Sequence, residues 1–227
     1  MEKKQMTEKE SLAIITDMVN KVKSHYHENG SYLILWGSVI TFCSLMSAAQ
    51  AFWNFSIGFN IWLLTFLAVA PHIWLITKEN KRKTVKTHAG SAIDVIWLVY
   101  IVTIIGIILY WNVTYHISPR ILADNGIELL SRNISSGELK PFKLFAPSFT
   151  SIFLLAYGFP TLATGLITRY HPFITGAIII YVCFAVSLFT EFKSDMLLSA
   201  LSAVSGWLIP GWMLRKKYLH QLKQADV

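Results

Sequence analysis

Long uncharged stretches, separated by short charged clusters, dominate the chain. Between Glu28 and Lys78 lie 49 consecutive residues without a formal charge, and others run from Asp94 to Arg120, Lys143 to Arg169, Arg169 to Glu191 and Asp195 to Arg215. Within them the apolar residues are continuous and do not alternate with polar ones. Alternation would fit the strands of a membrane barrel, whereas continuous runs of about 20 residues fit helices crossing about 30 Å of hydrocarbon. The pattern predicts an all-α, polytopic membrane bundle of six transmembrane helices, at about 32–52, 57–77, 91–111, 146–168, 171–190 and 196–214. Only Trp53-Asn54-Phe55-Ser56 separates the first two, which therefore form an antiparallel hairpin.

Ahead of the first span the period changes. Thr7 and Glu10 make a capping box, and Leu12, Ile15, Val19, Val22 and Tyr26 recur at three- and four-residue steps. This predicts an amphipathic helix over about 8–27, stopped at Asn29-Gly30. Such a helix lies on the inner membrane face, its lysines near anionic head groups, or packs on a protein partner through residues 7–27. Segment 112–144 is the one sizeable connection on the other side. Ser118-Pro119 reads as a helix start there, and Ser135-Ser136-Gly137 as its end. A short interfacial helix or a lid over a cavity between helices would fit. The chain thus divides into a cytoplasmic or interfacial helix (1–30), a six-helix domain (31–214) and a basic cytoplasmic tail (215–227).

Composition adds orientation. Of 227 residues 54% are hydrophobic and 15% charged, with a formal charge of +7; a typical soluble domain is about 25% charged. With the N-terminus inside, 15 of the 20 basic residues fall on the inner side, and only Arg120, Arg132, Lys140, Lys143 and Lys193 lie outside. Positive-inside asymmetry then places both termini in the cytoplasm and accounts for the excess charge without nucleic acid. Cys43 and Cys183 fall mid-span and read as small buried thiols. Most tryptophans, Trp97 and Trp207 among them, read as anchors toward span ends.

Candidate chemistry is sparse. Asp94 falls inside the third span near its inner end, where a carboxylate is costly and marks an ion or proton site unless it is solvated or paired with Lys86 or His88. Glu191 and Asp195 read as members of an outer turn, balanced by Lys193. Six of the seven histidines fall on the inner side, and His72, His88 and His171 are the weak candidates for a metal site, since imidazole suits zinc or iron. Their spacing matches no metal motif, and no nucleotide-binding loop or nucleophile elbow is present, so no cofactor is expected. Pro71, Pro160 and Pro210 interrupt the second, fourth and sixth spans. Broken helices build substrate sites in some transporters, although membrane helices also tolerate proline for structural reasons.

Three stretches together carry a resemblance. They are Glu10-Ser-Leu12…Met18 leading into Gly30-Ser-Tyr-Leu-Ile-Leu-Trp36-Gly37, then Tyr157-Gly158-Phe-Pro160-Thr161…Gly165, then Trp207-Leu-Ile-Pro210-Gly211…Leu214-Arg215. The chain resembles a family of small, uncharacterised integral membrane proteins of Bacteroidetes-type bacteria. The resemblance implies a multi-pass protein of the bacterial inner membrane and no activity, cofactor or catalytic residue. The leading expectation is a non-enzymatic sensor, scaffold or regulatory subunit. A small oligomeric transporter or channel using Asp94 follows, and then a membrane enzyme with an inner-face histidine or metal site. The expected partners are membrane lipids, a protein met through residues 7–27 and further copies of the chain, with no nucleic acid.

Overall fold

The computed structural model describes residues 29–80, 88–128, 130–141 and 149–225. The helix expected over 8–27, with its Thr7–Glu10 box, lies outside them. Within them the order is α1 (Ser31–Trp53), a 3₁₀ turn (Ile61–Leu63) running into α2 (Leu64–Asn80), α3 (His88–Asp124), a hairpin of β1 (Leu130–Arg132) and β2 (Leu139–Pro141), α4 (Phe149–Thr168), α5 (His171–Ser187), α6 (Phe192–Ala203), a π-helical turn (Val204–Leu208) and α7 (Ile209–Ala225). Five stretches are long and apolar enough to span a bilayer: Ser31–Trp53, Ile61–Lys78, His88–Asp124, Phe149–Thr168 and Phe192–Gln221. The 17-residue α5 is shorter but equally apolar. The protein is a polytopic helical membrane bundle with five or six long apolar helices, at the places the uncharged runs mark.

α1, α4, α5 and the continuous rod α6–π turn–α7 form the centre. α1 lies along α6 and the π turn, α5 packs between the π turn and α4, and Leu33, Ile40, Leu154, Phe173, Ile180 and Trp207 meet in the core. Arg169, at φ 52°, turns the chain from α4 into α5, and the Tyr170 amide donates to the Gly165 carbonyl. Tyr170 stacks edge-on against Phe173, and burial in this connection pushes its phenol above the usual tyrosine range. Among the described residues the α2 helix approaches only α1 and the turn before it, and the α3 backbone approaches only α4. Phe66, Leu67, Ile73, Val102 and Leu109 face outward from these two helices, as side chains do when the surrounding solvent is lipid.

Backbones touch where glycine allows it. Gly30 caps α1 at φ +66°, and a Cβ there would sit 2.3 Å from the Gly211 carbonyl oxygen of α7. Gly176 brings α5 against the π turn, where a Cβ would stand 2.5 Å from the Ser205 oxygen. Proline explains why the helix widens here. Pro210 has no N–H for the carbonyls of Ser205 and Gly206, and the Ile209 amide reaches back five residues to Val204. The break therefore serves as a contact surface. Glycines and small side chains of three helices meet at this place: Gly30 lies on Gly211, Gly37 on Leu208, and Thr161 beside Trp207.

Outside the bundle the structure departs from the sequence reading. Ser118-Pro119 does not begin a helix, because α3 runs on unbroken for 37 residues with Pro119 inside it. On this exposed stretch Asn112 and Thr114 return side-chain hydrogen bonds to the carbonyls four residues back. At 1.5 Å per residue the rod is about 55 Å long, so about 25 Å of it extends beyond a 30 Å hydrocarbon core. Instead of an interfacial helix, residues 130–141 form an antiparallel hairpin pairing Ser131 with Lys140. Asn133 fixes its turn by accepting from the amides of Ser135 and Ser136, and Gly137 takes φ +70°. The described side chains of 130–140 are exposed and, among the described elements, the strands approach only each other, so no described part of the hairpin covers the bundle as a lid.

Candidate functional site

The residues singled out by sequence do not come together. Asp94 is exposed, six residues into α3, and stands apart from the bundle core. His88 and His171 are exposed at helix starts, while His72 is half-buried on α2, where its Nδ1 accepts from the Trp36 indole at 3.2 Å and its ring meets Tyr32 edge-on. Among the described residues no three His, Cys, Asp or Glu side chains gather as metal ligands.

The buried carboxylate is Asp195, only 1% exposed. Its assignment to a solvated turn fails because α6 begins at Phe192, four residues before the expected span. That start places Asp195 in the first helical turn, where a negative charge is favoured by the helix dipole. Asp195, Ser199 and Ser202 then occupy positions i, i+4 and i+7 on one buried face. The Thr190 hydroxyl donates to Asp195, Ser44 of α1 donates to Ser199 at 3.0 Å, and Ser151 of α4 bonds Ser187 of α5 at 2.6 Å. Buried hydroxyl pairs thus link α4 to α5, and α1 to the face of α6 that Asp195 begins. The i, i+4, i+7 spacing of Asp195, Ser199 and Ser202 was the sequence signal for it.

Deeper in the bundle, aromatic rings form a closed node. Trp97 and Tyr100 of α3, Tyr157 of α4 and Trp207 of the π turn meet in every pairing except Trp97 with Tyr157, at centroid distances from 5.1 to 6.4 Å. These offset and edge-on separations are favourable for aromatic pairs. Trp97 and Trp207 are therefore core residues and do not anchor span ends. Trp207 lies midway along the continuous rod from Phe192 to Gln221. Threonines of α4 orient both indoles, with Trp207 Nε1 donating to Thr161 Oγ1 at 2.9 Å and Trp97 Nε1 to Thr164 Oγ1 at 3.2 Å. The Thr161 hydroxyl in turn donates a hydrogen bond to the Tyr157 carbonyl. Cys43 of α1 stands on the far side, its thiol donating to the Ile61 carbonyl at 3.5 Å. Both cysteines are free and buried.

Tyr100 and Tyr157 differ from their neighbours. Tyr157 is 7% exposed, and among the described residues neither phenol has a hydrogen-bond partner. Ser202 Oγ and Gln221 Oε1 are fully enclosed without a partner, whereas the Tyr157 oxygen is not fully enclosed. Fold and node together define a multi-pass helical membrane protein with an aromatic centre. In comparisons with known proteins, the chain matches no family model, no curated protein and no solved structure.

Proposed function

We propose that this is a non-enzymatic regulatory protein of a bacterial inner membrane, with both termini cytoplasmic, which senses a condition of the membrane and passes it to a protein partner through residues 7–27. The observation that carries this reading is the filled centre. Four interlocked rings and glycine-backed backbone contacts occupy the level at which a conduit through one chain would have to pass. A packed core of this kind is a platform, and bistable changes in its packing are how such cores transmit a signal. Residence in a bacterial inner membrane rests on the resemblance stated above, and orientation on the 15:5 division of basic residues.

Asp195 supports a second reading, a small oligomeric transporter or channel whose outer half loads a proton or cation. Reconstitution separates the two. The regulatory reading expects the full chain in proteoliposomes to pass no more protons or monovalent cations than empty vesicles. It also expects photo-crosslinkers placed within 7–27 to trap one defined partner in native membranes. Flux that Asp195→Asn or Asp94→Asn abolishes would replace regulation by transport.

A further inference from the structure

One face of α3 meets no described element. Its bundle side is engaged, with Trp97 and Tyr100 on Trp207 and Trp111 on Phe149. On the side turned away from these rings, Val95, Val99, Val102, Gly106, Val113 and Ile117 fall on one line, and all are exposed. Their spacing follows the period of about 3.6 residues of a straight α-helix. Lipid accounts for the exposure only as far as the hydrocarbon reaches, over about 91–111. Ile117 lies about 9 Å beyond that level and Ile121 about 15 Å, and both stay exposed. Among the described elements the hairpin does not cover them, since its strands approach only each other. An apolar line that leaves the membrane and runs on into water marks a face that meets another protein surface.

Two features select a second copy of the chain as the occupant. Gly106 stands in the middle of the line, and a Cβ there would meet nothing within 4 Å, so the glycine serves no contact inside its own chain. Bare backbone at such a place is what lets a second membrane helix approach closely. The line then ends in charges of both signs, Arg120 and Asp124, one turn apart and both exposed. Copies of one chain insert in the same orientation, so equal levels of α3 meet. We infer that α3 pairs with α3 of a second copy along this line, in a parallel two-fold dimer that continues past the hydrocarbon to Asp124. Gly106 then faces its own counterpart, as does Ile117, and Arg120 of each copy lies one turn from Asp124 of the other. A two-fold axis requires a self-complementary surface of this kind. The inference does not rest on the regulatory reading.

The test is disulfide mapping of the full chain in native membranes, where the two native thiols are buried. Single cysteines replace exposed Val113, Ile117 or Tyr115, and the membranes are oxidised with copper-phenanthroline. Val113→Cys and Ile117→Cys are expected to give a linked dimer. Tyr115→Cys, on the other side of the helix, is expected to stay monomeric. Energy transfer between labelled copies in liposomes, at falling ratios of protein to lipid, reads the affinity. Gly106→Leu blocks the close approach without meeting its own chain, and is expected to weaken pairing about tenfold or more. Arg120→Glu, beyond the hydrocarbon, is expected to weaken it a few-fold and serves if Gly106→Leu does not fold. Adding Asp124→Arg to Arg120→Glu is expected to restore pairing. Absence of the dimer at both Val113 and Ile117, or equal linking at all three positions, overturns the assignment. So does affinity unchanged in Gly106→Leu and Arg120→Glu alike, or linkage of Val113→Cys to a different protein in place of the dimer. These variants leave residues 7–27 intact, so failure of the pairing leaves the partner crosslink standing.

Discussion

A single buried hydrogen bond ties the π turn to α4, and it can be isolated. Thr161→Val is nearly isosteric but leaves the Trp207 indole N–H enclosed without an acceptor, with an expected cost of about 1–3 kcal/mol. Trp207→Phe removes the donor together with part of the indole. If the bond is what matters, adding Thr161→Val to Trp207→Phe costs clearly less than Thr161→Val alone. Thermal unfolding of the four proteins in detergent reads this coupling; strict additivity would mean the two side chains are merely neighbours. At this scale the sequence revealed residue types and hid pairings. Nothing in the spacing of Thr161 and Trp207, 46 residues apart, links them. Asp195 was within reach of sequence reading, since its face continues through Ser199 and Ser202. It was misread because a cluster of charges at 191–195 resembles a solvated turn.

Among the helices, position decides what a glycine is for. Gly176 and Gly106 both sit inside long apolar helices, yet a Cβ at Gly176 would meet the Ser205 carbonyl at 2.5 Å while one at Gly106 meets nothing within 4 Å. Gly176→Ala is therefore expected to push α5 off the π turn and destabilise the protein by about 1–3 kcal/mol. Gly106→Ala should be neutral, or stabilising by up to about 1 kcal/mol through helix propensity. Melting temperatures of the two variants in the same detergent check the contrast, and equal losses would contradict the packing described. Element existence was legible because the cost of placing charge in hydrocarbon keeps the apolar runs uninterrupted. Element ends were less so. The polar residues Asn112 to His116 looked like the exit from the membrane, but they sit on an exposed helical surface that continues to Asp124.

For the whole molecule, the central question is which side faces the cytoplasm. The basic-residue asymmetry predicts the hairpin outside and the end of α7 inside. The native thiols are buried, so single cysteines introduced at exposed Ser136 and Gln224 can be labelled selectively in intact cells. A membrane-impermeant maleimide is expected to modify Ser136→Cys directly and Gln224→Cys only after permeabilisation. The reverse pattern would invert the orientation and move the proposed partner contact across the membrane. What sequence alone could not convey at this scale is the grading of the bundle. Apolarity does not sort the spans, since α3 is the most apolar of the long ones but α2 is no more so than α4, yet α2 and α3 are peripheral while α1, α4, α5 and the α6–α7 rod bury one another.

The length of α3 has a mechanical consequence. It is joined to the bundle through α4 and through two side chains, Trp97 and Tyr100, that rest on Trp207. From Tyr100 to Asp124 the helix provides a lever arm of about 36 Å. A tilt of about 5° at that fulcrum carries the far end through about 3 Å, as much as the width of a water molecule. A small change in how Trp97 and Tyr100 rest on Trp207 would thus be amplified into a displacement at Asp124, beyond the hydrocarbon core.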